Sequence, residues 1–157
     1  MSGRSSSIDV ALLIREPPCD GEELEALIRR AVQAAARAVN RRTPELSVAV
    51  VGDRRMRRLN REFHGVDATT DVLAFPLEGQ PGPSGEIIVS AACARRRARS
   101  RDLSPVTELL LYVVHGALHL LGESDSCREG ASRMRHLERT ALSRIGHHLP
   151  QDHVSGG

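Results

Sequence analysis

His115-Gly116-Ala117-Leu118-His119-Leu120-Leu121-Gly122-Glu123-Ser124-Asp125 is the stretch on which the reading of this chain turns. Two histidines four residues apart on a helix lie on one face, one turn above the other. That spacing lets both imidazoles reach a single ion at ~2.0–2.1 Å. Gly122 can take a positive φ and turn the chain sharply out of the helix. Asp125 is thereby returned toward the pair. A bare His-x-x-x-His pair is a weak signal, so its setting matters. Leu109 to Leu121 is the least polar part of the sequence, and a buried imidazole must find partners for its nitrogens. Two imidazoles on one face of an aliphatic helix are more simply ligands of one ion than separately satisfied core residues.

Asp125 has two readings. It is either the third ligand, binding through oxygen at ~2.0–2.2 Å, or a cap, alone or through Ser126, for the helix that follows. Glu123 is a weaker substitute as ligand. Two imidazoles and a carboxylate suit one Zn2+ per chain, and three protein ligands leave a position open for chemistry. A helical His pair followed by a Gly turn and a further ligand is the logic of the long zincin motifs. Metalloprotease helices place Glu, the general base, directly after the first His. Here that residue is Gly116, so peptidase chemistry lacks its base. His136, His147, His148 and His153 read as surface residues.

Outward from this segment, Ser104-Pro105 starts the metal helix, with Glu108 three residues after the proline. Arg128 to Ile145 is the last helix, with Met134, Leu137, Leu142 and Ile145 inward and Gly146 as its stop. Toward the N-terminus, Ile8, Val10, Leu12 and Ile14 alternate as a half-buried strand that Pro17-Pro18 ends. Asp20 caps a helix whose apolar stripe runs from Leu24 to Ala38. Leu46 to Val51 reads as a strand. Asp53 is expected to cap a short helix that His64-Gly65 breaks. Asp71 to Phe75 and Gly85 to Ser90 read as strands, joined by a Gly/Pro loop over Glu78 to Ser84 that includes Pro81. Ser90 starts an Ala/Arg-rich helix to about Arg99. These elements predict an α+β fold: a single domain over residues 7–149, with a small mixed sheet of about four strands, about five helices and a zincin-like metal helix. Residues 1–6 and 150–157 are expected to be disordered tails.

The 157 residues fit one domain, and the aromatics are only Phe63, Phe75 and Tyr112, so the core must be aliphatic. All 22 basic residues are Arg, as a GC-rich coding sequence favours, and the net charge of +2 does not itself require a nucleic-acid partner. Arg nevertheless suits bidentate phosphate contacts. Two clusters stand out, Arg54, Arg55, Arg57, Arg58 and Arg61 in one and Arg95 to Arg97 with Arg99 and Arg101 in the other. Each is either a solvated helix face or a binding patch. Cys19, Cys93 and Cys127 are odd in number and without close spacing, which argues against both a disulfide framework and a thiolate zinc site. No apolar run reaches membrane-spanning length, and the first residues lack a signal-peptide core. The expected setting is a reducing cytoplasm.

The metal segment resembles the signature of the YbeY family of bacterial endoribonucleases, His-Gly-x-Leu-His-Leu-x-Gly-Tyr-Asp-His. The match covers His115, Gly116, Leu118, His119, Leu120 and Gly122. It departs at Glu123 and Ser124, where the family has Tyr-Asp, and at Asp125, where the family has its third zinc-binding His. Leu59-Asn60-Arg61-Glu62-Phe63-His64-Gly65 and Thr70-Asp71-Val72-Leu73-Ala74-Phe75-Pro76 are similar to the family's Leu-Asn-x-x-Tyr-Arg-Gly and Thr-Asp-Val-Leu-Ser-Phe-Pro. Gly85-Glu86-Ile87-Ile88-Val89-Ser90 resembles its Gly-Asp-Ile-x-Ile-Ser strand. The blocks fall in the right order over about residues 45–146. The resemblance implies a zinc-dependent, single-strand-specific endoribonuclease acting in rRNA maturation, at the 3′ end of small-subunit rRNA, and in ribosome quality control. Single-stranded RNA and the small ribosomal subunit are the implied partners, with no DNA and no membrane.

Within that reading, zinc lowers the pKa of a water and polarises phosphoryl oxygen. Arg61 and His64 are candidates to steady phosphoryl charge. His64 stands where the family carries an Arg, and would hold phosphate only when protonated, or would shuttle a proton. It reads equally as a surface residue at a helix end. Asp71 is either a partner that orients a ligand His or a strand-start cap bonded to Thr69 or nearby backbone. The rival readings are a zinc-stapled, non-catalytic module docked on the ribosome and a zincin-like peptidase. With so few aromatics, Arg contacts to phosphate should dominate RNA binding. Affinity for single-stranded RNA, followed by fluorescence anisotropy between 50 and 200 mM salt, is therefore expected to fall steeply. A salt-insensitive affinity would contradict the RNA reading.

Overall fold

The computed structural model describes residues 7–79 and 82–150. The expected tails, apart from Pro150, and with them His153 and the loop residue Pro81, lie outside the described residues. The elements follow the order β1 (Ile8–Leu12), α1 (Gly21–Ala38), β2 (Glu45–Val51), α2 (Asp53–His64), β3 (Val72–Pro76), β4 (Ser84–Ser90), α3 (Ala91–Arg101), α4 (Pro105–Leu120) and α5 (Arg128–Arg144). The expected α+β architecture is the one observed, with four strands and five helices among the described residues.

The sheet runs β1-β2-β4-β3. β1, β2 and β4 are parallel, and β3 pairs antiparallel with β4, Phe75 facing Glu86 and Pro76 facing Gly85. Pro76 has no N–H to give a ladder, and an edge strand is where a sheet tolerates it. Side chains alternate between two cores. Leu46, Val48, Val50, Ile87 and Val89 join the main core with α1, α3, α4 and α5, while Val51, Met56 and Leu73 form a smaller cluster under α2 with Phe75 packed against it. β3 therefore separates α4 on one face from α2 on the other.

The local signals act mostly as expected. The Asp20 side chain accepts from the Glu23 N–H, Ser90 from Cys93 and Ser104 from Thr107. Four details differ. Gly52, not Asp53, is the N-cap of α2, and the Asp53 carboxylate is taken by Arg96 at 2.7 and 3.3 Å. Cys127 caps α5, its sulfur accepting from the Gly130 N–H, so neither Asp125 nor Ser126 has that task. Glu108 does not close a capping box. It lies one residue too far along α4 and turns inward, fully buried, to accept from Arg101 at 2.9 Å. His147 is half-buried with Nδ1 2.8 Å from the Thr107 hydroxyl, whereas His136 and His148 are exposed as expected.

α4 is buried from Thr107 to Leu118. No single described helix is long and apolar enough to cross a membrane, and the one pair that passes together, α3 with α4, is bent by 117°. Gly116 lets α4 lie close on the sheet, since a Cβ there would stand 2.9 Å from Ile87 Cγ2. The Arg101–Glu108 pair anchors the start of this helix to the end of α3. Arg101→Ala strands a buried carboxylate and is expected to cost about 2–3 kcal/mol, allowing for the partial exposure of Arg101. A denaturant midpoint unchanged from wild type would contradict this.

Candidate metal centre

His115 and His119 stand one turn apart near the end of α4. The helix closes in a Schellman arrangement, with the Gly122 N–H donating to His119 O at 3.0 Å and the Glu123 N–H to Leu118 O at 2.9 Å. Gly122 takes φ +101°, as the turn requires. The chain then doubles back, and Asp125 meets the two rings. Gly130 on α5 allows this, because a Cβ there would come within 2.4 Å of Ser124 O.

The three side chains converge. The two Nε2 atoms are 3.0 Å apart, and each lies 3.6 Å from an oxygen of Asp125. A tetrahedral ion bound at ~2.1 Å has ligand–ligand edges of about 3.4 Å; the 3.0 Å nitrogen–nitrogen distance and the 3.6 Å contacts to the two separate Asp125 oxygens lie near that length. This is the one group among the described residues whose His, Cys and carboxylate atoms could hold a metal ion. Glu123 turns away to Arg133, at 2.6 Å.

His115 is oriented from behind. Its Nδ1 lies 2.6 Å from Oε2 of Glu138, a fully buried carboxylate on α5. A proton on Nδ1 donates to Glu138, which leaves the Nε2 lone pair facing the cluster. Burial pulls the His115 pKa down, but the Glu138 hydrogen bond and charge, with Asp125 and Asp71 beyond, outweigh it and raise the pKa overall. His119 moves the other way, lowered by burial and by the neighbouring His115.

The cluster opens on a cavity of about 380 Å³ walled by His64, Thr70 to Ala74, His115, Gly116, His119 and Asp125. Of the residues singled out from the sequence, His64 and Asp71 are brought to it and Arg61 is not among its lining. Arg61 lines a larger cleft of about 770 Å³ with Arg54, Arg57 and Arg58, and this cleft shares no lining residue with the ligand cavity. The Asp71 carboxylate is buried and accepts from the Val72 N–H at 2.8 Å and from Arg97 at 2.6 Å. Thr69 bonds Asp53 instead. Asp71 thus acts on His115 through charge, while Glu138 makes the hydrogen bond. Glu138 and Gly130 escaped the sequence reading, and Arg97 was singled out only as one of a basic cluster, not as the partner of Asp71. The available signal for Glu138 was a carboxylate on the inward stripe Met134-Leu137-Glu138-Ala141.

The profile described as Endoribonuclease YbeY matches residues 14–146. The chain belongs to the YbeY family. An Endoribonuclease YbeY of Anaeromyxobacter sp. is 41% identical over 121 residues, 75% of this chain and 63% of the relative. The family member of Moorella thermoacetica is 38% identical over 140 residues, covering 80% of this chain and 89% of that protein. The chain thus spans less than two thirds of the Anaeromyxobacter relative's length. The solution structure of TM1509 from Thermotoga maritima superposes with a TM-score of 0.58 at 26% identity, covering 88% of this chain and 91% of that one.

A metal must displace the proton that the raised pKa of His115 favours. That proton contributes to the stability of the metal-free fold below the unfolded pKa of ~6.5, and the contribution is lost as pH rises through the higher folded value. Zinc affinity is accordingly expected to climb with pH across the neutral range. Glu138→Gln should lower the high-pH affinity about tenfold and shift the pH profile downward, as read by competition with a chelating dye. An unchanged profile would remove Glu138 from the site.

Proposed function

We propose that the chain is a zinc-dependent endoribonuclease that cuts single-stranded RNA in rRNA maturation, at the 3′ end of small-subunit rRNA, in the cytoplasm and in contact with the small ribosomal subunit. The observation that carries the metal reading is the convergence of two imidazole nitrogens and a carboxylate, with ligand atoms within 4.8 Å of one another, on the wall of an open cavity. The substrate class rests on family membership.

His115, His119 and Asp125 would hold one zinc ion, Asp125 taking the place of the family's third His. When bound, zinc supplies Lewis acidity toward a phosphoryl oxygen and a water of lowered pKa. The remaining steps belong to the chain. Glu138 holds His115 in one tautomer and orientation. His64, which lines the same cavity, would bind phosphate as a cation or pass a proton. Asp71, pinned by Arg97, adds negative charge that favours positive charge at His115. Arg61 belongs to the approach, where its charge favours the RNA backbone.

A cavity on one side of the cluster favours an open coordination position over a site filled by four protein ligands, and so favours catalysis over a structural staple. Purified wild-type protein is expected to hold about one zinc. His115→Ala and Asp125→Ala should lose it and lose cleavage of single-stranded RNA together. RNA cleavage surviving in a metal-free variant would sink the proposal, and bound zinc without cleavage would favour the non-catalytic reading.

A further inference from the structure

The chain has three aromatic residues, and two of them meet at the rim of the metal-ligand cavity. Phe63 and His64 end α2, and Phe75 follows Ala74 on β3. His64 and Ala74 both line the cavity. The Phe63 and Phe75 ring centroids are 4.9 Å apart at 49°, and His64 stacks on Phe75 at 6.0 Å and 27°. Phe75 is half-buried against the Met56–Leu73 cluster and so is fixed in place. Phe63 is 60% exposed, more than any other large hydrophobic described.

A single exposed Phe is ordinary. This one is braced by a fixed ring and lies beside a His that opens on a candidate phosphoryl-binding cavity. The guanidiniums of α2 line the separate, larger cleft. Arg57 is held by Asp67 in two hydrogen bonds, of 2.8 and 3.1 Å. Arg54 and Arg58 make no ion pair among the described residues. An exposed π-face beside a histidine that lines the metal-ligand cavity matches the repeating chemistry of a nucleic-acid strand, in which planar bases alternate with phosphates.

Resting on the nuclease reading above, we infer that Phe63, braced by Phe75 and flanked by His64, is a nucleobase-stacking subsite for an unpaired base next to the phosphate held in the cavity. A base can stack on a protein ring only when it is free of a duplex neighbour on that side. The subsite therefore discriminates for single strands, and does so without reading sequence, since every base has a π-face.

The test compares wild type with Phe63→Ala, Phe63→Leu and Phe63→Trp, each loaded with zinc. The ligand is a labelled 2′-O-methyl oligonucleotide that resists cleavage, intact or carrying single abasic positions. Phe63→Ala is expected to weaken binding of the intact strand by roughly 5- to 150-fold. Phe63→Leu should be nearly as weak, because it keeps apolar area without a π-face. Phe63→Trp should retain affinity, and as the sole tryptophan of the chain its emission should be quenched by the intact strand. An abasic site at the stacked position should abolish both the quenching and the difference between wild type and Phe63→Ala. Wild-type affinity in Phe63→Ala, restoration by Phe63→Leu, or an equal loss on abasic strands would overturn the subsite. Because binding is read apart from cutting, the two proposals can fail separately. Wild type that binds through Phe63 but cuts nothing defeats the nuclease reading alone. Wild type that cuts RNA, with Phe63 variants that bind normally, defeats the subsite alone.

Discussion

A buried imidazole has two nitrogens to satisfy, and most of this structure answers to that demand at His115. The ring sits in an aliphatic helix packed on a sheet, where an unpaired polar nitrogen costs about 1–3 kcal/mol. Glu138 answers for Nδ1 at 2.6 Å, and the His119–Asp125 cluster lies opposite Nε2. The carboxylate is itself buried, so each partner offsets part of the cost of burying the other. That reciprocal need locks α5 against α4. It also ties the 122–127 turn, which carries Asp125, to the same two helices.

The close approaches that serve this pair come from missing side chains. Gly116 lets α4 settle on Ile87, and Gly130 lets α5 pass under Ser124. Neither glycine has a positive φ; what matters at both is the absent Cβ. Gly122 is the opposite case, where the backbone conformation itself excludes most residues.

The cavity lies at the β3 edge because an edge strand has a free side on which two layers can meet. α4 brings the ligand cluster to one face, and α2 brings His64, Phe63 and the arginines to the other. Charge is divided in the same way. Carboxylates gather about the imidazoles, as a cation site requires, while guanidiniums of α2 line a separate cleft. Asp71 stands at the junction, its charge held by Arg97 from α3.

Sequence alone determined the elements and the ligand pair, because both depend on short-range geometry. Helical spacing put His115 and His119 on one face, Gly122 ended the helix, and strand alternation separated the two cores. Two residues with local alternatives were legible only as choices. Asp125 read as ligand or cap until the sulfur of Cys127 took the cap, and Asp71 read as a partner of histidine or of backbone until Arg97 and Val72 claimed it. Tertiary structure alone decided the rest, since it joins positions that no local period connects. Glu138 is 23 residues from His115 and reads locally as one more inward helix position. Phe63 and Phe75 belong to different elements and meet only when α2 closes over the sheet. Arg61 is near His64 in sequence, and helical spacing alone would put the two on one face, yet Arg61 lines a separate cleft.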